Sequence, residues 1–562
     1  MATEQSSTVH GQVELAPGLW TPRWITDGAS ADSANPARPC VTTWRPEAGT
    51  WQLEQVRAAV DALCKRMGVA RIDLLHLHWS DYTDPAYLDV IAHLLHLRGQ
   101  GQFDHLGVAH FDTDHLRLLL HHGVPVATSQ VRLSLLDRRA LGRMVELCQS
   151  NPVQLLACAP LAGGLLTDRW LDQPEPAEIP EAGRAVHAAL VRAIGGWTAL
   201  QRVLHALHRI AQHHHVAIAD VAMRWVMEQP GVAAVLMDHA MPDDDSTAWR
   251  KRLDGLSLNG DDRAQLQAVL DATLRPAGDC GAELHASTVA SVTVPRGSTT
   301  TSASIAQLPP PTGSQWVDRA GGSRALRTGS RVVVAGTNAM HGASMVVARG
   351  DAEAQAVFAL DRIAASLHAL GASLQHVVRT RVYLRDLNAA SGVAAVHARV
   401  FAGVCPASTV LGVTRLTDDC EVEIEAEAEL PAPTRAFISS GTAYEALAGY
   451  SRAVVEDDWV FVSGTVGVDP ATGVWAFGAP AQAQRAIDTI EAALLRAGFA
   501  LLDVVRVVVY LASRDDVLPV SAVIRERFGP ARPANTTVCV PLALEQCRVE
   551  IEVTARRRAK SR

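Results

Sequence analysis

Two histidines one residue apart, His76 and His78 in IDLLHLHW, are the first groups along the chain whose type and spacing could do chemistry. On a strand they share a face, and two imidazoles on one face begin a metal site. No third ligand follows at a defined spacing. His213, His214 and His215 close a helical pattern, where water is the expected partner, so no metal is expected. Carboxylates make the second set. In VEIEAEA (422–428) and VEIEV (549–553) glutamates alternate with apolar residues, which places Glu423, Glu425 and Glu427 on one strand face and Glu550 and Glu552 on another. A solvated face is the expectation for Glu425, Glu427 and Glu552.

The 562 residues carry 51 Lys+Arg against 59 Asp+Glu, a formal balance of −8. That length suits about three to five domains. The mild acidity gives no field that would gather nucleic acid or anionic lipid, and the basic tail at Arg556, Arg557, Arg558, Lys560 and Arg562 reads as a solvated end. Nine dispersed cysteines without a CxxC pair indicate free thiols in a reducing compartment. Neither a secretory leader nor an apolar run of membrane-spanning length is readable. The expectation is a cytoplasmic protein with small-molecule partners, no nucleic acid and no membrane.

These residues must be held by elements of two kinds. Before residue 280, short apolar strands such as IDLLHLHW, HLGVAHF and VQLLACAPL alternate with helical patterns, which predicts a parallel sheet with helical crossovers, tending to a (β/α)8 barrel. A Ser/Thr/Pro-rich stretch at 286–314 reads as a flexible linker. Beyond it the chain repeats itself: VVRTRVYLRDL at 377 matches VVRVVVYLASR at 504, and the same offset carries Glu423 onto Glu550. Each copy orders strand, helix, strand, helix, strand, an α+β layer whose free sheet face must be buried, so oligomer contacts are expected.

The first block resembles the aldo-keto reductases. RIDLLHLHWSDY, LRGQGQFDHLGVAHFDT, TSQVRLSLLDRR, LLACAPLAGGLL and VAIADVAMRWVMEQPGVAAVLM occur in that family's order over residues 14–275. The resemblance implies a (β/α)8 carbonyl reductase using NADP(H), with a Tyr proton donor, a Lys, an Asp and a His. His78 matches the histidine. The Asp and Tyr have no counterpart, because the chain passes from Gly28 through ASADSANPARP to VTTWRP, and Thr43 stands at the Lys position. Gln130 is retained on the cofactor side. His110, Cys158, Asp238 and Ala240 replace family contacts, so an incomplete barrel that does not reduce carbonyls is expected. A coding segment restored between Gly28 and Val41 would instead give an NADPH-dependent oxidoreductase.

The repeats resemble the Rid family, the YjgF-type reactive intermediate deaminases. The carrying residues are GYSRAV, VFVSGT, LLRAGFALLDVVRVVVYLAS, RPANTTV and VEIEV in the second copy (449–555), echoed by GSRAL, VVVAGT, LGASLQHVVRTRVYL, CPASTV and VEIEAEA in the first (322–430). The resemblance implies trimers with ligand pockets between neighbours and hydrolysis of enamines and imines. It marks Tyr450, Ser463, Gly464 and Glu550 as pocket residues, with Glu423 in the first copy. Ser408 and Asn535 stand where the family has its carboxylate-binding Arg, and Arg532 is the nearest substitute. The expected function is binding or conversion of a small imine, enamine or carbonyl compound at interfaces between Rid-type domains. A non-catalytic ligand-binding scaffold is the alternative.

Overall fold

The computed structural model describes residues 40–176, 184–236, 252–281, 305–308, 321–430 and 435–558. The chain divides near Ser291 into two compact units.

The first unit contains six parallel strands, β1 (Val41–Trp44), β2 (Ile72–Leu77), β3 (Phe103–Ala109), β4 (Val126–Arg132), β5 (Gln154–Cys158) and β6 (Val232–Leu236). They lie side by side in chain order, as in a barrel. Among the described residues β6 does not pair with β1, so the sheet is an open part of a barrel. Residues 14–39, where the resemblance begins, lie outside the described residues, as do Asp238 and Ala240. Crossovers run through α1 (Leu53–Met67), α2 (Ala86–Gly99), α3 (Thr113–His121), α4 (Arg143–Ser150), α5 (Arg184–Ala193), α6 (Trp197–His214) and α7 (Ile218–Met227), with α8 (Gly260–Asp271) after β6. In α6, Leu200, Val203, Leu204, Leu207 and Ile210 recur at three and four residues and are buried with Val221 and Met223 of α7 and Leu266 of α8. The inner sheet face is filled by Val41, Leu74, Leu156, Ala234 and Leu236.

The second unit repeats one plan. The first copy has β7 (Ile305–Leu308), β8 (Ala325–Thr328), β9 (Arg331–Asn338), the small pair β10 (Met340–His341) and β11 (Met345–Val346), α9 (Ala352–Ala369), β12 (Val377–Leu384), α10 (Ala390–Val400), β13 (Ala407–Gly412) and β14 (Val422–Glu429). The second has β15 (Ala436–Ile438), α11 (Ala443–Ala448), β16 (Ala453–Glu456), β17 (Trp459–Val466), α12 (Ala479–Arg496), β18 (Val504–Leu511), α13 (Val517–Phe528), β19 (Ala534–Cys539) and β20 (Val549–Arg556). The sheet orders are β13-β12-β14-β9-β8-β7 and β19-β18-β20-β17-β16-β15. Position for position they agree, and β7 is the counterpart of β15. The Ser/Thr/Pro-rich stretch therefore holds one strand of the first sheet, IAQL at 305–308, which pairs antiparallel with β8.

One sheet face of each copy meets the other. Leu411 bridges Leu542, Gly412 N donates to Pro541 O at 2.9 Å, and Val378 and Ala407 pack on Val454 and Phe461. Here the expectation for the glutamates is corrected. Glu552 is buried between the copies, with Arg381 donating to it from Nε (2.8 Å) and Nη2 (2.5 Å), while Arg381 also meets Glu425 and Glu427 and Arg379 lies 3.3 Å from Glu552. Alternation put these carboxylates on one face correctly; the opposing copy, which supplies the arginines' neighbours, is invisible to alternation. Burial alone would raise Glu427, but Arg379, Arg381 and Arg331 outweigh it and hold its carboxyl at about 2.

Candidate functional site

In the first unit the C-terminal ends of β2 to β5 bring His78, His110, Gln130 and Cys158 to one rim of the sheet. The His78 and His110 rings lie 5.1 Å apart, and Thr43 Oγ1 lies 3.4 Å from Gln130 Oε1. His76 sits one layer deeper. Its Nε2 is 2.9 Å from Thr128 Oγ1, its ring fills the space that a Cβ on Gly107 would take, and burial pulls it down to about 3. It is a neutral packing residue. Burial also pulls His110 well below its ordinary value, helped by His78 and Arg132.

The segment 159–164 that follows β5 is covered. His187 of α5 lies against Gly163, where a Cβ would meet its ring within 2.5–3.0 Å. The cavity beside it, lined by Arg132, Ser134, Ala159, Ala162, His187 and Pro276, holds about 170 Å³. Ordinary ligand pockets run roughly 300–1,000 Å³. This cavity by itself is too small to enclose a dinucleotide.

The second unit builds a more complete constellation around Glu550 on β20. Gly464 on β17 leaves room for its carboxylate; a Cβ there would fall on the Glu550 oxygen and within 2.9 Å of Thr409 Cγ2. Arg452, just before β16, donates from Nη1 to Gly464 O (2.7 Å) and Thr465 Oγ1 (3.0 Å) and from Nη2 to the Tyr450 hydroxyl (2.9 Å). Ser463 Oγ donates to Ser451 O at 2.6 Å. The far wall comes from the first copy: Ser408 N donates to Ser463 Oγ (2.9 Å), and Thr409 Oγ1 accepts from Gly464 N (3.1 Å) while donating to Glu552 Oε2 (2.9 Å). Burial pushes Glu550 up to about 8, with Arg452 opposing and Glu552 adding to the rise. Burial likewise raises Tyr450, against the pull of Arg452. At neutral pH the site therefore holds a protonated carboxyl beside a phenol, both able to donate a proton.

The first copy keeps part of this. Arg324 donates from Nη1 to Gly336 O (3.0 Å) and Thr337 Oγ1 (3.3 Å), the same clamp one repeat earlier. Glu423 lies over Gly336 and accepts from Asn338 Nδ2 at 3.4 Å. Burial raises it, opposed by Asn338 and Arg324. Gly322 replaces the tyrosine.

The structure thus gathers Tyr450, Ser463, Gly464 and Glu550, places Glu423 in an equivalent but separate setting, and leaves Arg532, just before β19, and Asn535 on β19 exposed. None of the contacts around Glu550 involves those two. Sequence reasoning missed Arg452 and Thr409. Arg452 had a signal, since GYSRAV and GSRAL repeat the arginine at an offset of 128. Thr409 had none, because it reaches the site from the other copy.

Two family profiles match the chain. That described as Aldo/keto reductase family covers residues 41–243. That described as Endoribonuclease L-PSP covers 318–430 and again 440–557. Over the first region the chain is 28% identical to flagellar radial spoke protein 5 of Chlamydomonas reinhardtii, covering 39% of this chain and 44% of that one. It is 25% identical to the NADH-specific methylglyoxal reductase of Escherichia coli, covering 34% and 57%. The chain thus spans about half the length of these two relatives. A RutC family protein of Pyrococcus abyssi is 36% identical over 19% of this chain and 84% of its own length. The repeats therefore belong to the RutC, or Rid, family twice over, and they follow an aldo/keto reductase family domain in one multidomain chain.

Proposed function

We propose that the second Rid domain hydrolyses a small imine or enamine in the composite site between β13 and β17/β20. The observation that carries this is Glu550, protonated near neutrality by burial, with Gly464 cleared beneath it and Thr409 walling it from the first copy. Glu550 gives its proton to the enamine carbon or imine nitrogen. The resulting carboxylate then takes a proton from the water that adds to the imine carbon. Collapse of the aminoalcohol breaks the C–N bond, so imine and water leave as carbonyl compound and ammonia. Tyr450, aligned by Arg452, holds the polar end of the ligand.

The cation that would hold a substrate carboxylate is replaced by Ser408, and Arg452 spends its donors on Gly464, Thr465 and Tyr450. This favours substrates without a carboxylate. The test is ammonia release by the purified protein from 2-aminoacrylate and from a neutral enamine. Turnover of the neutral compound, lost in Glu550→Gln, is the expected result. Equal turnover by Glu550→Gln overturns the reading.

The barrel domain is read as a module that no longer reduces carbonyls. NADP(H) is the cofactor its family implies; what supports the reading is that Thr43, His110 and Cys158 stand where the resemblance puts the family's lysine and cofactor contacts. A scaffold role for this domain is the second reading, favoured by the same observation; saturable NADPH binding to the whole protein would overturn it.

The assembly follows from the contact between copies. It is heterologous, since the β12/β13 face of the first copy meets the β16/β17 face of the second, and such contacts propagate into rings. The unused faces match those used. Val378 is 0% exposed where Val505 is 38%, and Phe461 is 0% exposed where Val333 is 37%. We read β18/β19 as the seat for β8/β9 of another chain, in a trimer-based homo-oligomer. Among the described residues no helix is long and apolar enough to cross a membrane. All nine cysteines are free thiols, which supports a reducing, cytoplasmic setting.

A further inference from the structure

The end of α6 and the start of α8 bring together His213, His214 and Asp262, whose candidate ligand atoms all lie within 4.8 Å of one another. Sequence spacing gave no reason to join them, because Asp262 is 48 residues from His214. Packing of α8 against α6 makes the juxtaposition. Asn259 caps α8, and its own N–H donates to Asp262 Oδ2 at 2.9 Å, which fixes the carboxylate. His214 Nε2 lies 2.8 Å from the same oxygen. The His213 ring stands 4.8 Å from that of His214, inclined at 71°, on the exposed side.

We propose that these three side chains form a binding site for a divalent transition-metal ion of the zinc class. Bonds of about 2.0–2.2 Å from two imidazoles and one carboxylate oxygen need donors roughly 3–3.5 Å apart. His214 and Asp262 are already near that separation, and the exposed His213 closes the triangle by a side-chain rotation that disturbs no packing. Two nitrogens and one oxygen suit zinc, nickel or copper and do not suit calcium or magnesium, which want oxygen ligands. The Asn259 N–H supplies the outer support that orients a ligating carboxylate. The C-terminal end of α6, carrying the negative end of its dipole, favours a cation there. The ion keeps one or more positions for water on its open side and ties the last turn of α6 to the first of α8.

The test uses the full chain freed of metal with a chelator, titrated with Zn²⁺ while thermal unfolding and heat of binding are followed. His213→Ala removes an exposed ligand and leaves the His214–Asp262 contact, so it folds as the parent does. The parent is expected to bind one ion at this site and to unfold at higher temperature with Zn²⁺, and His213→Ala to bind at least tenfold more weakly and lose that rise. Cobalt substitution should give visible absorption that disappears in His213→Ala. Identical Zn²⁺ titrations of parent and His213→Ala, or no zinc-dependent rise in the parent, would show a plain His–Asp pair and overturn the site.

Discussion

Val466 faces Glu550 across the β17/β20 ladder where Asn338 faces Glu423 across β9/β14. At this register position an apolar residue stands in one copy and an amide donor in the other, one of the differences between the two glutamates' settings. Asn338 stabilises the charged form of Glu423; Val466 offers Glu550 nothing, so desolvation goes unopposed from that side. Val466→Asn should lower the Glu550 pKa by about one unit. A carboxyl-carbon NMR titration of parent and variant checks this, and an unmoved titration would count against it.

The raised Glu550 also makes stability depend on pH. A carboxyl whose folded value lies above its unfolded value contributes stability that is full below the unfolded value, near 4.5, and lost as pH rises through about 8. The slope reaches about 1.4 kcal/mol per pH unit. Glu550→Gln removes it. Denaturant unfolding at pH 5, 7 and 9 should show the variant gaining on the parent as pH rises.

The buried network between the copies predicts the opposite dependence. With Glu427 held at about 2, its contribution is present above the unfolded value and lost as pH falls through about 2. Arg381→Met takes two charged donors from Glu552, leaving it Thr409 and Arg379, and should cost about 3–5 kcal/mol. Replacing Arg381, Glu425 and Glu552 together by apolar residues of similar volume should recover most of that loss. Unfolding midpoints of the single and triple variants decide it.

Arg452 touches Tyr450 and the Gly464 carbonyl together, which makes it a positioning residue. Arg452→Met should cut turnover at least tenfold and raise the Glu550 pKa further, because the cation opposing desolvation is gone. A pH–rate profile whose basic limb moves upward is the signature; a lower plateau with an unmoved limb would indicate structural damage alone.

The unused β18/β19 face of the proposed assembly gives a fifth expectation. Val505→Arg should dissociate the assembly into single chains in sedimentation experiments while leaving the fold, since Val505 is half-exposed within one chain.

Much of this was legible in the residues. Alternation in VEIEAEA and VEIEV placed the glutamates on one face, and the offset of 127 to 128 tied Glu423 to Glu550 and Gly336 to Gly464. The missing β–α segment before VTTWRP accords with a sheet that is open among the described residues. Pairing partners were not legible. Nothing in β13 says that Ser408 and Thr409 will wall a site more than 50 residues away, and nothing in β14 says that its glutamates will face arginines rather than water. Both depend on which surfaces meet, a property of tertiary packing that strand periodicity does not encode. The same holds for His214 and Asp262, joined by the packing of two helices.

Covalent linkage of the copies has a kinetic and thermodynamic corollary. The wall that Thr409 raises beside Gly464 is supplied from within the same polypeptide, at an effective concentration in the millimolar range or above for short connections. The Glu550 site is therefore assembled by unimolecular folding and survives dilution. In the assembly proposed above, the Glu423 setting has no such tether and would gain its second wall only by second-order encounter, so the duplication would give one chain a constitutive site and a concentration-dependent one.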